Sequence, residues 1–205
     1  MGAGFVQYLI GLASGVAAHQ PADGRIETFL YLLSGEATLE MDHQQTAPLQ
    51  PGGFALVPPN LGFRLRVSQP GQLLMLRKPY EPAAGIKLFE PLVGNQSQVP
   101  GPPWMDNPHA RLQTLIPDNL QYDLAMNIFT FDPGFGLPYV ETHVMEHGLY
   151  FLQGKGVYYI DGDWMEVEAT DFIWLGPYCP QSFYATGPTV ARYIYYKNVN
   201  REIPL

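Results

Sequence analysis

"GKGVYYIDGDWMEV", residues 154–167, decides the fold. Asp161-Gly162 stands between two runs of strand-forming residues, which is a strong cue for a two-residue hairpin turn. The beginning of the same stretch has a counterpart elsewhere in the chain. A shift of 119 positions lays "GEATLEM" (35–41) on "GKGVYYI" (154–160) and carries Gly15 to Gly134, Pro58 to Pro177 and Lys78 to Lys197 without a gap. Strand lengths and turns therefore match across two halves even where side chains do not, and two copies of one β-rich module are expected.

Other segments read the same way. "GGFALVPPNLGFRLRV" (52–67) and "DFIWLGPYCPQSFYA" (171–185) each set an apolar run before a proline-containing turn and a second apolar run. The 21 glycines and 20 prolines carry no collagen-like period and punctuate these short runs, leaving little room for long helices. Residues 79–120, rich in proline, read as the connection between copies. The expected fold class is all-β with few short helices, divided into an N-terminal module over 1–95 and a C-terminal one over 96–205.

With 46% hydrophobic residues the chain can bury a substantial core. Nineteen acidic against 11 basic residues give a formal charge of −8, which excludes the basic stripe that nucleic acid requires. The opening stretch from Phe5 to Ala18 is broken by Gln7, Tyr8, Gly11, Ser14 and Gly15 and falls short of the roughly 20 residues a bilayer span needs, so a strand and turn are expected there. No membrane or nucleic-acid partner is expected. A lone cysteine, Cys179, and the lack of a charged-then-apolar leader point to the cytoplasm. Cys179 has no histidine base near it in sequence and reads as a packing residue.

Chemistry concentrates in "ETHVMEH" (141–147). On an unbulged strand Glu141, His143 and His147 would share one face, and Gln181, at the proline turn before a later strand, could add a fourth donor. One carboxylate and two imidazoles form a normal shell for Mn, Fe, Zn or Ni. The shift of 119 takes these four residues to Ala22, Gly24, Thr28 and Gly62, so every candidate ligand vanishes together from the first copy. Packing alone would not demand that, and a metal site in the second copy is expected. Glu146 has the opposite strand parity and an equivalent in Glu27, so its expected role is structural. His19, His43 and His109 read as solvated loop histidines.

Written as E-x-H-x3-H-x6-G and followed by "PYCPQSF", the second copy resembles the two short motifs of the cupin superfamily, in which histidines, a glutamate and a glycine surround a metal inside a small β-barrel. Glu141 stands in the place of the first histidine and Gln181 in that of the last. Together with "VETHVMEHGLYFLQGKGVY", "PQSFYATG" and "ARYIYYKNVNREIPL", the pattern resembles the (S)-ureidoglycine aminohydrolase family, bicupins of purine catabolism. The resemblance implies two tandem cupin (double-stranded β-helix) barrels, the first degenerate and beginning part-way into its fold, and Mn²⁺ held by Glu141, His143, His147 and Gln181. Other divalent first-row metals suit the same donors.

The resemblance further implies that Tyr158, Tyr193 and Lys197 contact a small anionic ureido substrate. The reaction would be hydrolytic deamination of (S)-ureidoglycine to (S)-ureidoglycolate and ammonia, in a homo-oligomer. Tyrosines are abundant, 13 in all, so Tyr158 and Tyr193 would serve equally as core aromatics. Lys197 shares strand parity with Tyr193 and needs an anion if it faces a barrel interior. The fold hosts many chemistries. The alternatives are a metal-dependent oxygenase or isomerase acting on a small acid, and a non-catalytic module that binds a small ligand.

Overall fold

Strands carry the architecture of the computed structural model, which describes residues 2–42 and 45–202; His43 lies outside them. The chain forms two compact units, one of residues 4–98 and one made chiefly of residues 99–205.

In the first unit β1 (Val6–Leu12), β2 (Ala17–Gln20), β3 (Ile26–Met41), β4 (Gln45–Leu49), β5 (Gly53–Val57), β6 (Phe63–Pro79) and β7 (Leu92–Asn95) form one sheet in the order β1-β6-β3-β5-β7, with β2 on β6 and β4 on β3. The opening apolar stretch is thus a strand, a turn and a strand. Leu30, Leu32, Leu39, Leu56, Leu65 and Leu73 are among the side chains of its core. The first half of β3 is buried on both faces, whereas its second half alternates, as a strand with one wetted face does.

The second unit contains β8 (Pro103–Trp104), β9 (Asn107–Thr114), β10 (Leu124–Phe131), β11 (His147–Gln153), β12 (Lys155–Ile160), β13 (Asp163–Glu168), β14 (Phe172–Leu175), β15 (Gln181–Ala185) and β16 (Ala191–Asn198). Six of them make a sheet in the order β14-β11-β16-β10-β9-β8, and β13-β12-β15 make a smaller one. Phe129, Phe131, Phe151, Phe183 and Tyr193 interlock in its core, with ring centroids 5.1–5.9 Å apart.

The same pairs of elements recur in both units, each register displaced by one residue from a strict shift of 119. β1 on β6 is matched by β10 on β16, β3 on β4 by β12 on β13, and β3 on β5 by β11 on β14. The long β3 corresponds to β11 and β12 taken together, and the two copies bend at equivalent glycines. Gly35 (φ 84°) and Gly154 (φ 75°) are left-handed, and a Cβ on Gly154 would lie 2.4 Å from the Val190 carbonyl oxygen. At that bend the chain leaves the larger sheet for the smaller one. Asp161 and Gly162 both have positive φ and join Ile160 to Asp163, the tight hairpin that the dipeptide predicts.

Two expectations are modified. Residues 79–120 hold β7, β8 and β9 rather than connection alone; β7 extends the first sheet on β5 and β9 extends the second on β10. Proline density concealed them, because Pro103 lies in the end strand β8 and Pro108 lies outside the rungs β9 shares with β10, where no ladder N–H is required. Among the described residues the pairings do not close into a ring, so barrel closure is not seen. No helix among the described residues is long and apolar enough to cross a membrane.

Candidate active site

Between the sheets of the second unit lies a cavity of about 650 Å³, within the range of small-molecule sites. The larger sheet lines it in rungs. Ala125, Lys197 and His147 are register partners across β10, β16 and β11; the next rung is Asn127, Tyr195 and Leu149, and the next Phe129, Tyr193 and Phe151. Polarity therefore falls along the sheet, from a lysine and a histidine to a floor of aromatic rings. Tyr158 of β12 and Gln181 of β15 line it from the smaller sheet.

Glu141, His143, His147 and Gln181 all line this cavity, but not as alternating residues of one strand. Only His147 is in β11; Glu141 forms an isolated bridge to Gln181, with both N–H···O bonds made at 2.7 and 2.9 Å, and His143 sits in the intervening loop. The Tyr178 N–H donates to the His143 carbonyl at 2.7 Å and holds that loop beside β15. Convergence thus comes from a looped segment pinned at two points, since the five residues before His147 are not paired into a strand.

The imidazoles carry the strongest evidence for a cation. His143 Nδ1 lies 3.1 Å from the Met145 carbonyl oxygen and His147 Nδ1 lies 3.1 Å from that of Tyr196. A carbonyl only accepts, so both Nδ1 atoms carry the proton in the neutral rings and both Nε2 atoms present bare lone pairs. These two Nε2 atoms are 2.9 Å apart. Two lone pairs at that separation repel unless a cation or a shared proton lies between them. Burial, reinforced by His143 and Lys197, holds His147 down to about 3, and burial with Lys197 also lowers His143, so protonation is disfavoured at neutral pH. A divalent metal ion fits this pair.

Among the described residues no three His, Cys, Asp or Glu side chains form a preformed metal cluster. Burial raises the Glu141 carboxyl above its ordinary range while Lys197 draws it back. Gln181 turns Nε2 toward His143 Nε2 at 3.3 Å, and its Oε1 accepts from the Tyr158 hydroxyl at 2.8 Å. Tyr193 is hydrogen-bonded to Tyr158, so the two phenols and the Gln181 amide are linked. Burial pushes both phenols well above their ordinary range, so they remain protonated donors.

Lys197 differs from its equivalent in the first unit. Lys78 Nζ donates to Glu27 Oε1 at 3.2 Å, both side chains being almost wholly buried. The corresponding Glu146 instead accepts from Trp174 Nε1 at 3.2 Å and from the Tyr196 hydroxyl at 3.4 Å, the structural role its parity suggests. Among the described residues no carboxylate stands within ion-pair distance of Lys197, which lines the cavity with its charge. The first unit also closes off the position equivalent to Gln181. A Cβ on Gly62 would lie 2.6 Å from Asp42 Oδ2 and 3.0 Å from the Ala22 backbone nitrogen, so no glutamine fits there without movement.

Two expectations about other histidines are corrected. His109 belongs to β9, stacks on Phe135 at 3.8 Å and bonds Asp132 at 3.0 Å through Nδ1, while His19 is exposed on strand β2 rather than in a loop. Cys179 packs against the second core, and burial raises its thiol, consistent with a packing role. Sequence reasoning missed Asn127 and Tyr195, both buried in the cavity wall. The readable signal for Asn127 was a lone amide within the apolar run "LAMNIFTF".

Comparison with known proteins bears on this site. The chain is 35% identical to (S)-ureidoglycine aminohydrolase of Escherichia coli K12 over 100% of its own length and 79% of that enzyme's. This chain belongs to the (S)-ureidoglycine aminohydrolase family. The Arabidopsis thaliana enzyme of the same name is 31% identical over 98% of the chain and 66% of its own length. The crystal structure of a glyoxylate-induced protein from Pseudomonas aeruginosa superposes with a TM-score of 0.90 at 37% identity, covering 98% of this chain and 76% of that one. A cupin 2 conserved barrel domain protein from Leptotrichia buccalis shares the fold, with a TM-score of 0.66 at 15% identity over 95% of this chain and 89% of that one. No family model matches the chain.

Proposed function

We propose that this member of the ureidoglycine aminohydrolase family hydrolyses the bond between the α-carbon and the amine of (S)-ureidoglycine, yielding (S)-ureidoglycolate and ammonia. The observation that carries the reading is the facing pair of unprotonated imidazole nitrogens at 2.9 Å, in a cavity of about 650 Å³ that Lys197 also lines. His143, His147, Glu141 and Gln181 would hold Mn²⁺, with Gln181 turning its amide oxygen inward and Tyr158 then accepting from its nitrogen. When bound there, a divalent ion supplies Lewis acidity and positive charge for gathering an amine and an oxygen of the substrate. The two units are read as tandem cupin barrels, the second carrying the chemistry.

The protein's own groups set up the rest. Lys197 neutralises the substrate carboxylate, and the linked phenols of Tyr193 and Tyr158 fix the Gln181 amide. The ureido nitrogen lone pair expels the amine, leaving an imine-like carbon. The departing amine takes the proton that the ureido N–H gives up and leaves as ammonia, and water then adds its oxygen to the imine-like carbon and its proton to the nitrogen, restoring the ureido N–H. Phe129, Leu137 and Leu149 give the cavity apolar walls beside these polar groups.

The test separates hydrolysis from an oxygenase built on the same fold. The manganese-loaded protein is incubated with fresh ureidoglycine under argon and in air, and ammonia is counted. Equal release in both atmospheres supports the hydrolase; release that requires oxygen sinks it.

A further inference from the structure

Asn127 reaches the cavity from β10 and is only 5% exposed. Its Nδ2 donates to the Tyr195 hydroxyl oxygen, but its Oδ1 has no hydrogen-bond partner. A buried acceptor of this kind is costly unless a ligand or water supplies a donor. Tyr195 completes the other half. Its oxygen is already accepting from Asn127, so its O–H is left to donate into the cavity. The pair therefore offers one acceptor beside one donor. Reversing the amide exchanges which residue supplies which, and leaves one of each.

The register places this pair one step from Lys197. Asn127 lies opposite Tyr195 and Ala125 opposite Lys197, a spacing of about 6–7 Å along the strands. A ligand whose carboxylate meets Lys197 can set a second polar group against Asn127 and Tyr195. A second carboxylate would put negative charge against Oδ1, and an alkyl group would leave both polar atoms unpaired. A carbamoyl group carries N–H and C=O side by side and satisfies both.

We propose that Asn127 and Tyr195 are the specificity-determining subsite for the –NH–CO–NH₂ end of the substrate, Oδ1 accepting an N–H and the Tyr195 hydroxyl donating to the carbonyl. This rests on the hydrolase reading above and adds the residues that distinguish a ureido acid from a simple α-hydroxy or α-amino acid.

Calorimetry on the manganese-loaded protein tests it with two ligands, (S)-ureidoglycolate and glycolate, which share a carboxylate and hydroxyl and differ only in the ureido group. Wild type should prefer ureidoglycolate. Asn127→Leu should reduce that preference by roughly 10- to 100-fold while leaving glycolate affinity unchanged. Tyr195→Phe, which keeps the ring stacked at 5.6 Å on Phe129, should shift it the same way and decides the matter if the leucine variant does not fold. An unchanged preference in both variants, or an equal loss of both ligands, overturns the subsite. Wild type that releases no ammonia from ureidoglycine and shows no preference between the ligands overturns the hydrolase reading, and the subsite with it; ammonia release with an unaltered preference in the variants overturns the subsite alone.

Discussion

His147 shows how one side chain is tuned by its surroundings. Its Nδ1 is tied to the Tyr196 carbonyl, its Nε2 faces His143, and burial keeps it neutral. Replacing it with alanine removes half of the facing pair, and metal content measured on purified protein should fall to background together with activity; full activity without bound metal would refute the site. Lys197 acts on the substrate rather than on that pair. Lys197→Ala should raise KM by about tenfold to a hundredfold, the loss of a charge-assisted contact, with metal content unchanged. An unaltered KM would remove Lys197 from carboxylate binding. The comparison with Lys78 gives this prediction its sign, because a lysine already paired to Glu27 has no such role to lose.

The bend between β11 and β12 transfers the chain from one sheet to the other and so brings Tyr158 to the cavity that His147 also lines. Gly154 permits it by a left-handed backbone and by the absence of a side chain against Val190. Gly154→Ala should therefore cost about 2–4 kcal/mol of unfolding free energy, from backbone strain together with displacement of Val190. Gly134→Ala, also left-handed but with nothing within 4 Å, should cost only about 1 kcal/mol. Equal losses in denaturant titrations would show that the close approach is unimportant. A second device ties β9 to the end of β10. The Asp132 carboxylate accepts from Arg111 at 2.7 Å and bonds His109 at 3.0 Å, and these bonds hold its carboxyl below the ordinary range. A depressed native value means stability that is present above the unfolded pKa near 4 and lost as pH falls through the native one. The stability advantage of wild type over Asp132→Asn should thus shrink between about pH 5 and pH 2; a gap independent of pH would show that the ion pairs contribute nothing.

At the scale of the whole molecule, the recurring order of strand pairing was legible because turns leave marks in sequence: Gly35 and Gly154 are left-handed at equivalent positions, and Asp161-Gly162 turns a hairpin. Strands β7 to β9 were hidden because proline at sheet ends reads like linker. The residues gathered at the site were named in advance, yet the reason they meet was not, since strand alternation cannot foresee a loop clamped by the Glu141 bridge to Gln181 and by the Tyr178 N–H. Nor could spacing find Asn127, whose meaning depends on which partner β16 places opposite it. These parts meet in one proposal, that the second unit is a metal-dependent hydrolase of a ureido-substituted amino acid. Its most direct test is titration of metal-free protein with Mn²⁺ while following ammonia release from (S)-ureidoglycine and the chirality of the product. The predicted result is release that rises as the ion binds and saturates with it, giving (S)-ureidoglycolate alone. Release no faster than the spontaneous background with the metal fully bound, or a racemic product, would contradict it.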